Sequence, residues 1–372
     1  MRQVVGMPVR YVWLLLLALL WLQGCGQSAT LATQSGQVAA EIRDHYEAGL
    51  DHLPLSLQRH YAQRLYRVTG DPAFLPYQQR HAEQLLKSLY RDVQGLASQP
   101  DYVSQREQMM SSRSPLRTER QRQRAALLAA YPGMRFATDL SFRLVQLEYY
   151  GLLEHLPVED VAFVRSWLAD AGFDAFLLSE SAIRHYAAQA ANQVWFLDQL
   201  GVMDLREAFM QRFQEVYPLG GDDALTQAEW HNKLYGMTHI VIAASRYYQH
   251  TLHESEFTWI TDDFIRQLPS LLASATEDIL AEVGISLALT GQLDHPAVAQ
   301  IRQALIRAYD ADARMIPSPT GSTDFARGEH RNVLAVMLLI WPDHLYPGPQ
   351  LDPQLVRYYV YSEPMTATEI ED

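Results

Sequence analysis

The sequence predicts an all-α fold built from paired helices. Three observations carry this reading. Apolar residues recur at helical spacing, and few stretches show the alternation of a half-buried strand. Glycine and proline fall mainly between the apolar stretches, where they act as punctuation. Four small, apolar segments with embedded polar groups recur at roughly 45–50 residues, the period of a two-helix repeat.

Taken in order, the periodicity predicts helices over 39–68, 73–97, 117–130, 137–155, 158–170, 179–200, 203–216, 226–251, 257–273, 275–290, 295–310 and 327–341. Gly70-Asp71-Pro72, Gly201, Pro218-Leu219-Gly220-Gly221, Gly291 and Pro296 separate them. The four recurring segments begin at Gln193, Thr238, Ala281 and His330. More ordinary amphipathic helices lie between them, such as Phe257–Leu272 and Pro296–Tyr309. A helix buried on most sides reads as nearly all apolar, so the alternation predicts inner helices backed by outer amphipathic ones.

The N-terminal end predicts export. Arg2 and Arg10 precede or flank an apolar run, Val12–Leu22, and no acidic residue occurs before Cys25. A basic start with a short apolar core is a secretory signal. The run is shorter than the about 20 apolar residues of a membrane span. Leu22-Gln23-Gly24-Cys25 follows, and it resembles the lipobox of bacterial lipoproteins, with Gln23 in place of the usual small residue. The resemblance implies lipidation of Cys25, the single cysteine of the chain. Gly26, not Asp, comes next, which resembles lipoproteins sorted to the outer membrane.

The expected organisation is therefore a signal peptide over 1–24, a lipidated flexible tether over 25–37, a helical domain over 38–366 and an acidic tail over 367–372. Loss of 1–24 removes Arg2 and Arg10 and takes the formal charge from −13 to −15. So acidic a body argues against nucleic acid as a partner. The polar stretch 98–124 stands apart, with Arg106, Arg113, Arg117, Arg120, Arg122 and Arg124 against Asp101, Glu107 and Glu119. It reads either as a solvated loop running into a helix face or as a local basic patch for an acidic glycan or lipid headgroup.

Over about 139–341 the chain resembles the α/α-toroid architecture of helical-hairpin enzymes. Ala281-Glu282-Val283-Gly284-Ile285-Ser286-Leu287-Ala288-Leu289 and Gly328-Glu329-His330-Arg331-Asn332-Val333-Leu334-Ala335 carry the resemblance. The same strings look like an uncharacterised family of bacterial lipoproteins, which implies no activity. An open α-solenoid is the alternative arrangement.

Three stretches carry candidate chemistry. In Glu229–His239, the residues His231, Tyr235 and His239 are spaced by four and share a helix face, with Asn232 and Lys233 beside them. Histidines so placed can bind substrate or shuttle a proton. In Glu277–Glu282, Asp278 and Glu282 are four apart, and Glu282 lies in an apolar stretch where burial could raise its pKa. Paired carboxylates in different environments divide acid and base roles. The loop from Pro317 leads into Glu329, His330 and Asn332, with Asp324 or Thr323 as the cap of the next helix.

The expected catalytic residues are thus His239, Glu282 and His330. The expected substrate contacts are His231, Asn232, Tyr235, Asp278, Glu329 and Asn332. Trp195, Trp230, Tyr235, Tyr247 and Tyr248 are aromatic candidates for stacking on sugars. No His-Glu-x-x-His motif, cysteine cluster, Gly-x-Gly-x-x-Gly, P-loop or Gly-x-Ser-x-Gly elbow occurs, so neither metal nor cofactor is expected. His231, His239, His330 and Glu282 are the groups a metal would use. Two functions fit: an envelope protein that binds or processes a glycan in the cavity of the helical domain, or a non-enzymatic lipoprotein that recruits another envelope protein. In both, the membrane is a partner through lipid on Cys25.

Overall fold

The computed structural model describes residues 30–112, 116 and 118–361. The signal peptide, Cys25, the tail 367–372, Arg113 and Arg117 lie outside the described residues. Among the described residues the fold is all-α, with one isolated bridge between Asp310 and Met315.

The helices are α1 (30–49), α2 (Leu55–Thr69), α3 (Leu75–Ser98), α4 (Tyr102–Ser112), α5 (Glu119–Ala129) and α6 (Met134–Tyr149). They continue with α7 (Val158–Ala169), α8 (Phe173–Leu177), α9 (Glu180–Gln199), α10 (Arg206–Val216), α11 (Gln227–Ala244) and α12 (Glu254–Arg266). The last are α13 (Leu268–Ser274), α14 (Glu277–Leu289), α15 (Pro296–Ala308), α16 (Phe325–Leu339) and α17 (Gln354–Tyr361). No helix among the described residues is long and apolar enough to cross a membrane.

Several expected boundaries shift. The stretch 39–68 is two helices, because the chain turns at Leu50–His52 and Pro54 before α2 begins. The tether expected through Gln37 is already helical from residue 30, and Ser35 is buried. The helix expected over 226–251 stops at Ala244, and the one over 257–273 breaks at Gln267 ahead of Pro269. The stretch 98–124 holds two helices, α4 and most of the first half of α5. A capping box at Thr118 and Gln121 starts α5.

The four recurring segments all fall on buried helices: α9, α11, α14 and α16. Successive members pack together, α6 on α9, α9 on α11, α11 on α14 and α14 on α16, and α16 in turn lies against α2. Gln63 of α2 donates to Gln146 of α6 at 3.0 Å. The inner set thus begins at α2, well before residue 139. Helices α3, α10, α12 and α15 back it from outside.

Small residues permit the close approach. A Cβ on Gly236 of α11 would sit 2.5 Å from the Phe213 ring and 2.9 Å from the Ala187 Cβ. On Gly284 of α14 it would sit 2.4 Å from the Leu338 side chain of α16. These are the contacts that made the inner helices read as small and apolar in sequence.

Candidate functional site

Glu282 projects from α14 and is buried, with 2 % of its side chain exposed. Oε2 accepts from the Thr238 hydroxyl of α11 at 2.7 Å. Oε1 faces two imidazoles, His239 Nε2 of α11 and His330 Nε2 of α16, each at 3.7 Å. That separation is beyond hydrogen-bond reach, so both histidines address one oxygen without bonding it. Burial acts to raise the Glu282 pKa, but His239, His330 and Thr238 outweigh it and hold the carboxyl below its ordinary range. Glu282 is therefore ionised at neutral pH, against the upward shift expected from its apolar neighbours.

A second carboxyl stands behind His330. His330 Nδ1 meets His60 Nε2 of α2 at 3.2 Å, and His60 Nδ1 meets Glu329 Oε1 at 2.8 Å. Glu329 is fully buried, and burial pushes its carboxyl up to about 8 despite the nearby Arg64 and Arg59. Burial also lowers both His60 and His330, which favours their neutral forms.

With Glu329 protonated and both imidazoles neutral, one donor order follows. Glu329 donates its proton to His60 Nδ1; His60 Nε2–H donates to His330 Nδ1; His330 presents Nε2–H toward the Glu282 carboxylate. His330 is the open member of this chain, with 40 % of its side chain exposed. On the other side, His239 Nδ1 donates to Asn192 Oδ1 of α9 at 3.0 Å, which leaves Nε2 facing Glu282. Tyr235 of α11 donates to Asp278 Oδ2 at 2.5 Å. Against burial, the Thr276 and Tyr235 hydroxyls and His330 keep Asp278 below its usual pKa.

Asn192 also lines a cavity of about 440 Å3. Phe142, Tyr186, Phe196 and Tyr247 supply aromatic faces, and Arg124, Arg135, Gln189 and Asp139 supply polar ones. Two irregular features aim these rings. Helix α9 is kinked at Tyr186 (φ −137°, ψ 22°). After α11, Arg246, Tyr247 and Tyr248 take φ of 53°, 57° and 66°, a left-handed turn without glycine. Such a conformation costs roughly 1–2 kcal/mol per residue. It places Tyr247 in the cavity wall, and Arg67 holds the Tyr247 carbonyl at 3.2 Å.

The basic stretch ends at this cavity. Arg120 of α5 lies over the Tyr235 ring at 5.4 Å, and Arg124 lies over Tyr186 at 5.7 Å while donating to the His185 carbonyl. Met110 and Leu116 complete that side of the lining.

The structure brings together His239, Glu282, His330, Tyr235, Asp278 and Glu329 among the expected site residues. It does not bring Asn232, Asn332 or His231 to them. Asn232 is buried and donates to the Ile183 carbonyl and the Tyr217 hydroxyl. One position beyond His231 is about 100° around the helix, so Asn232 turns toward α9 and α10. Asn332 is buried and ties α16 to the strand-like segment at Ile316 through both its amide atoms. Two positions past His330 put it on the opposite face. His231 shares the face of His239 but lies about 12 Å along the axis from it, beside the Ser274 carbonyl at 3.3 Å. Lys233 is paired with Asp222 and Asp263, and Asp324 caps α16 through the Arg327 amide. Trp195 is buried, and Trp230 bonds Gln267 through its indole N–H.

Sequence reasoning passed over His60, Asn192, Arg59 and Arg64. The available signal was on α2, where Gln58, Arg59, His60, Gln63, Arg64 and Arg67 interleave with Tyr61, Ala62, Leu65 and Val68. Among the described residues, no set of three or more His, Cys, Asp and Glu is arranged to hold a metal ion.

No curated protein and no solved structure matches the chain. A family match does cover nearly all of the described helical body. Residues 35–363 match the family described as Domain of unknown function (DUF3541), and the chain belongs to that family.

Proposed function

We propose that the chain is a lipid-anchored envelope protein whose inner helices close as an α/α toroid, and whose cavity binds and processes a glycan. The observation that carries this reading is the convergence of two histidines, one of them backed by His60, on an ionised, buried Glu282 beside an aromatic-walled cavity. The lipid anchor at Cys25 and an outer-membrane location rest on the lipobox-like sequence.

The two carboxyls supply the chemistry. Glu282, ionised, accepts a proton through His239 or His330. Glu329, protonated, is the reservoir that returns one through His60 and His330. Environments that separate two pKa values in this way divide general base from general acid. The cavity lies within the roughly 300–1,000 Å3 of small-ligand sites, and aromatic faces are suited to the apolar faces of sugar rings.

The test is release of new chain ends from envelope polysaccharide and from peptidoglycan by the full chain. Wild type is expected to release them, and His330→Ala and His239→Ala to lose at least 100-fold while remaining folded. Absence of release and of binding to either polymer, together with recovery of a stable protein partner from membranes, would replace this reading with the recruitment role.

A further inference from the structure

The cavity is cationic inside a protein of formal charge −13. Its lining holds Arg124 and Arg135, while its one lining carboxylate, Asp139, is bound by Arg143. Arg59 lies over Phe142, one wall, at 5.6 Å. Arg64 lies over Tyr248 at 5.7 Å, next in sequence to the cavity-lining Tyr247. Arg59 and Arg124 thus approach from two sides behind aromatic faces.

The pairing of these arginines is incomplete. Arg64 is 5 % exposed, yet its side chain reaches only the His60 carbonyl, at 3.4 Å, and Tyr248, neither of them a counter-charge. Arg59 reaches only Gln63, at 3.5 Å. The Nε of each has no hydrogen-bond partner, nor does Nη2 of Arg124. Among the described residues, none of the three has a carboxylate within ion-pair distance. A buried charge without a counter-charge is strongly unfavourable. Other buried cations are better satisfied: Lys233 has two aspartates, Arg143 has Asp92 and Asp139, and Arg67, without a carboxylate, has the carbonyls of Tyr247, Tyr346 and Gly348.

We propose that the missing counter-charge is the ligand's, and that the cavity takes an acidic saccharide with its carboxylate held by Arg59 and Arg64 and a neighbouring acid group facing Arg124. This rests on the glycan reading for the body of the ligand, while the arginines assign its charge. It places the acid group beside the His60–His330 pair, so the sugar carbon bearing it lies near Glu282.

Calorimetric titration of the full chain at low salt tests the assignment, with digalacturonate, cellobiose, inorganic sulfate and inorganic phosphate as probes. Digalacturonate is expected to bind at least 10-fold tighter than cellobiose. Arg59→Gln and Arg64→Gln should each remove most of that preference, and Arg64→Lys should keep part of it. Equal affinity for the two sugars, or an acid preference untouched by the variants, would overturn the proposal. Sulfate or phosphate binding that depends on Arg59 and Arg64, with no sugar binding, would keep the anion site and overturn the saccharide. No binding of any probe would overturn both. Unfolding of Arg64→Met gives a second readout: without ligand its melting temperature should equal or exceed wild type. A large fall would assign Arg64 to the fold and overturn the proposal.

Discussion

Two buried charged groups share helix α11, and they are built oppositely. At Lys233 every charge is matched. Its ammonium sits 2.7 Å from Asp222 and 2.9 Å from Asp263; Arg266 closes the group on both aspartates, and Gln267 links it to Trp230. Six residues on, His239 opens the other group. There the histidine contacts to Glu282 are 3.7 Å, the cations nearby are incompletely paired, and histidines stand where the first group has lysine and arginine. A balanced network fastens α11 to α12. A network left open, with one carboxyl pushed up to about 8, is arranged for an incoming molecule and a moving proton.

The largest effect separates the two by stability. Lys233→Met leaves Asp222 and Asp263 with Arg266 alone, and breaking a buried pair costs about 3–5 kcal/mol. Denaturant unfolding should show a loss of that size. The same measurement on His239→Ala should show a loss of about 1–2 kcal/mol, one buried hydrogen bond. Equal losses would remove the distinction.

Acidity sharpens the comparison next. Folded, Glu329 binds a proton up to pH of about 8, whereas its ordinary value is about 4.5. Between those values the folded chain holds a proton that the unfolded chain has released, so this group's contribution to stability is greatest below pH of about 4.5 and declines as pH rises to about 8. Buried His60 and His330 tilt the other way, losing stability as pH falls below their ordinary value near 6.5. Glu329→Gln is expected to melt above wild type at pH 8 and level with it at pH 4. A difference that does not grow with pH would place the Glu329 proton elsewhere.

The smallest effect concerns α5, which lends Gln121 and Arg124 to the cavity wall. Arg120→Gln removes the cation over Tyr235, worth about 0.5–1 kcal/mol at an exposed site. Stability should barely change, while affinity for an acidic disaccharide should fall several-fold. Unchanged affinity would make α5 a passive cover.

Much of this was legible in the sequence, for a physical reason. His239, Glu282 and His330 stood out as polar groups in small, apolar stretches, and burial on all sides is what removes other polar residues from such helices. Asn232 and Asn332 lie near the site in sequence but not on its face, because each helical step turns about 100°. His60, Arg59 and Arg64 were hidden for the converse reason. Helix α2 carries so many polar residues that it reads as an outer amphipathic helix, yet part of its polar side points inward to α16 and α6. Only the packing of α16 on α2 reveals that orientation. Residues 30–37 read as a tether from their Ser, Thr and Gln content, but the stretch is helical and Ser35 is covered. Arg120 and Arg124 read as a solvated charge run because the aromatic faces they cover come from α11 and α9, more than 60 positions away in the chain for Arg124 and Tyr186.

The most direct test of the account is Glu282→Gln, measured for both unfolding free energy and turnover of an acidic glycan. The account predicts stability within about 1–2 kcal/mol of wild type, since Gln keeps the hydrogen bond from Thr238, and turnover reduced at least about 100-fold, the scale of a lost general base. A stability loss as large as that of Lys233→Met, with turnover per folded molecule unchanged, would contradict it.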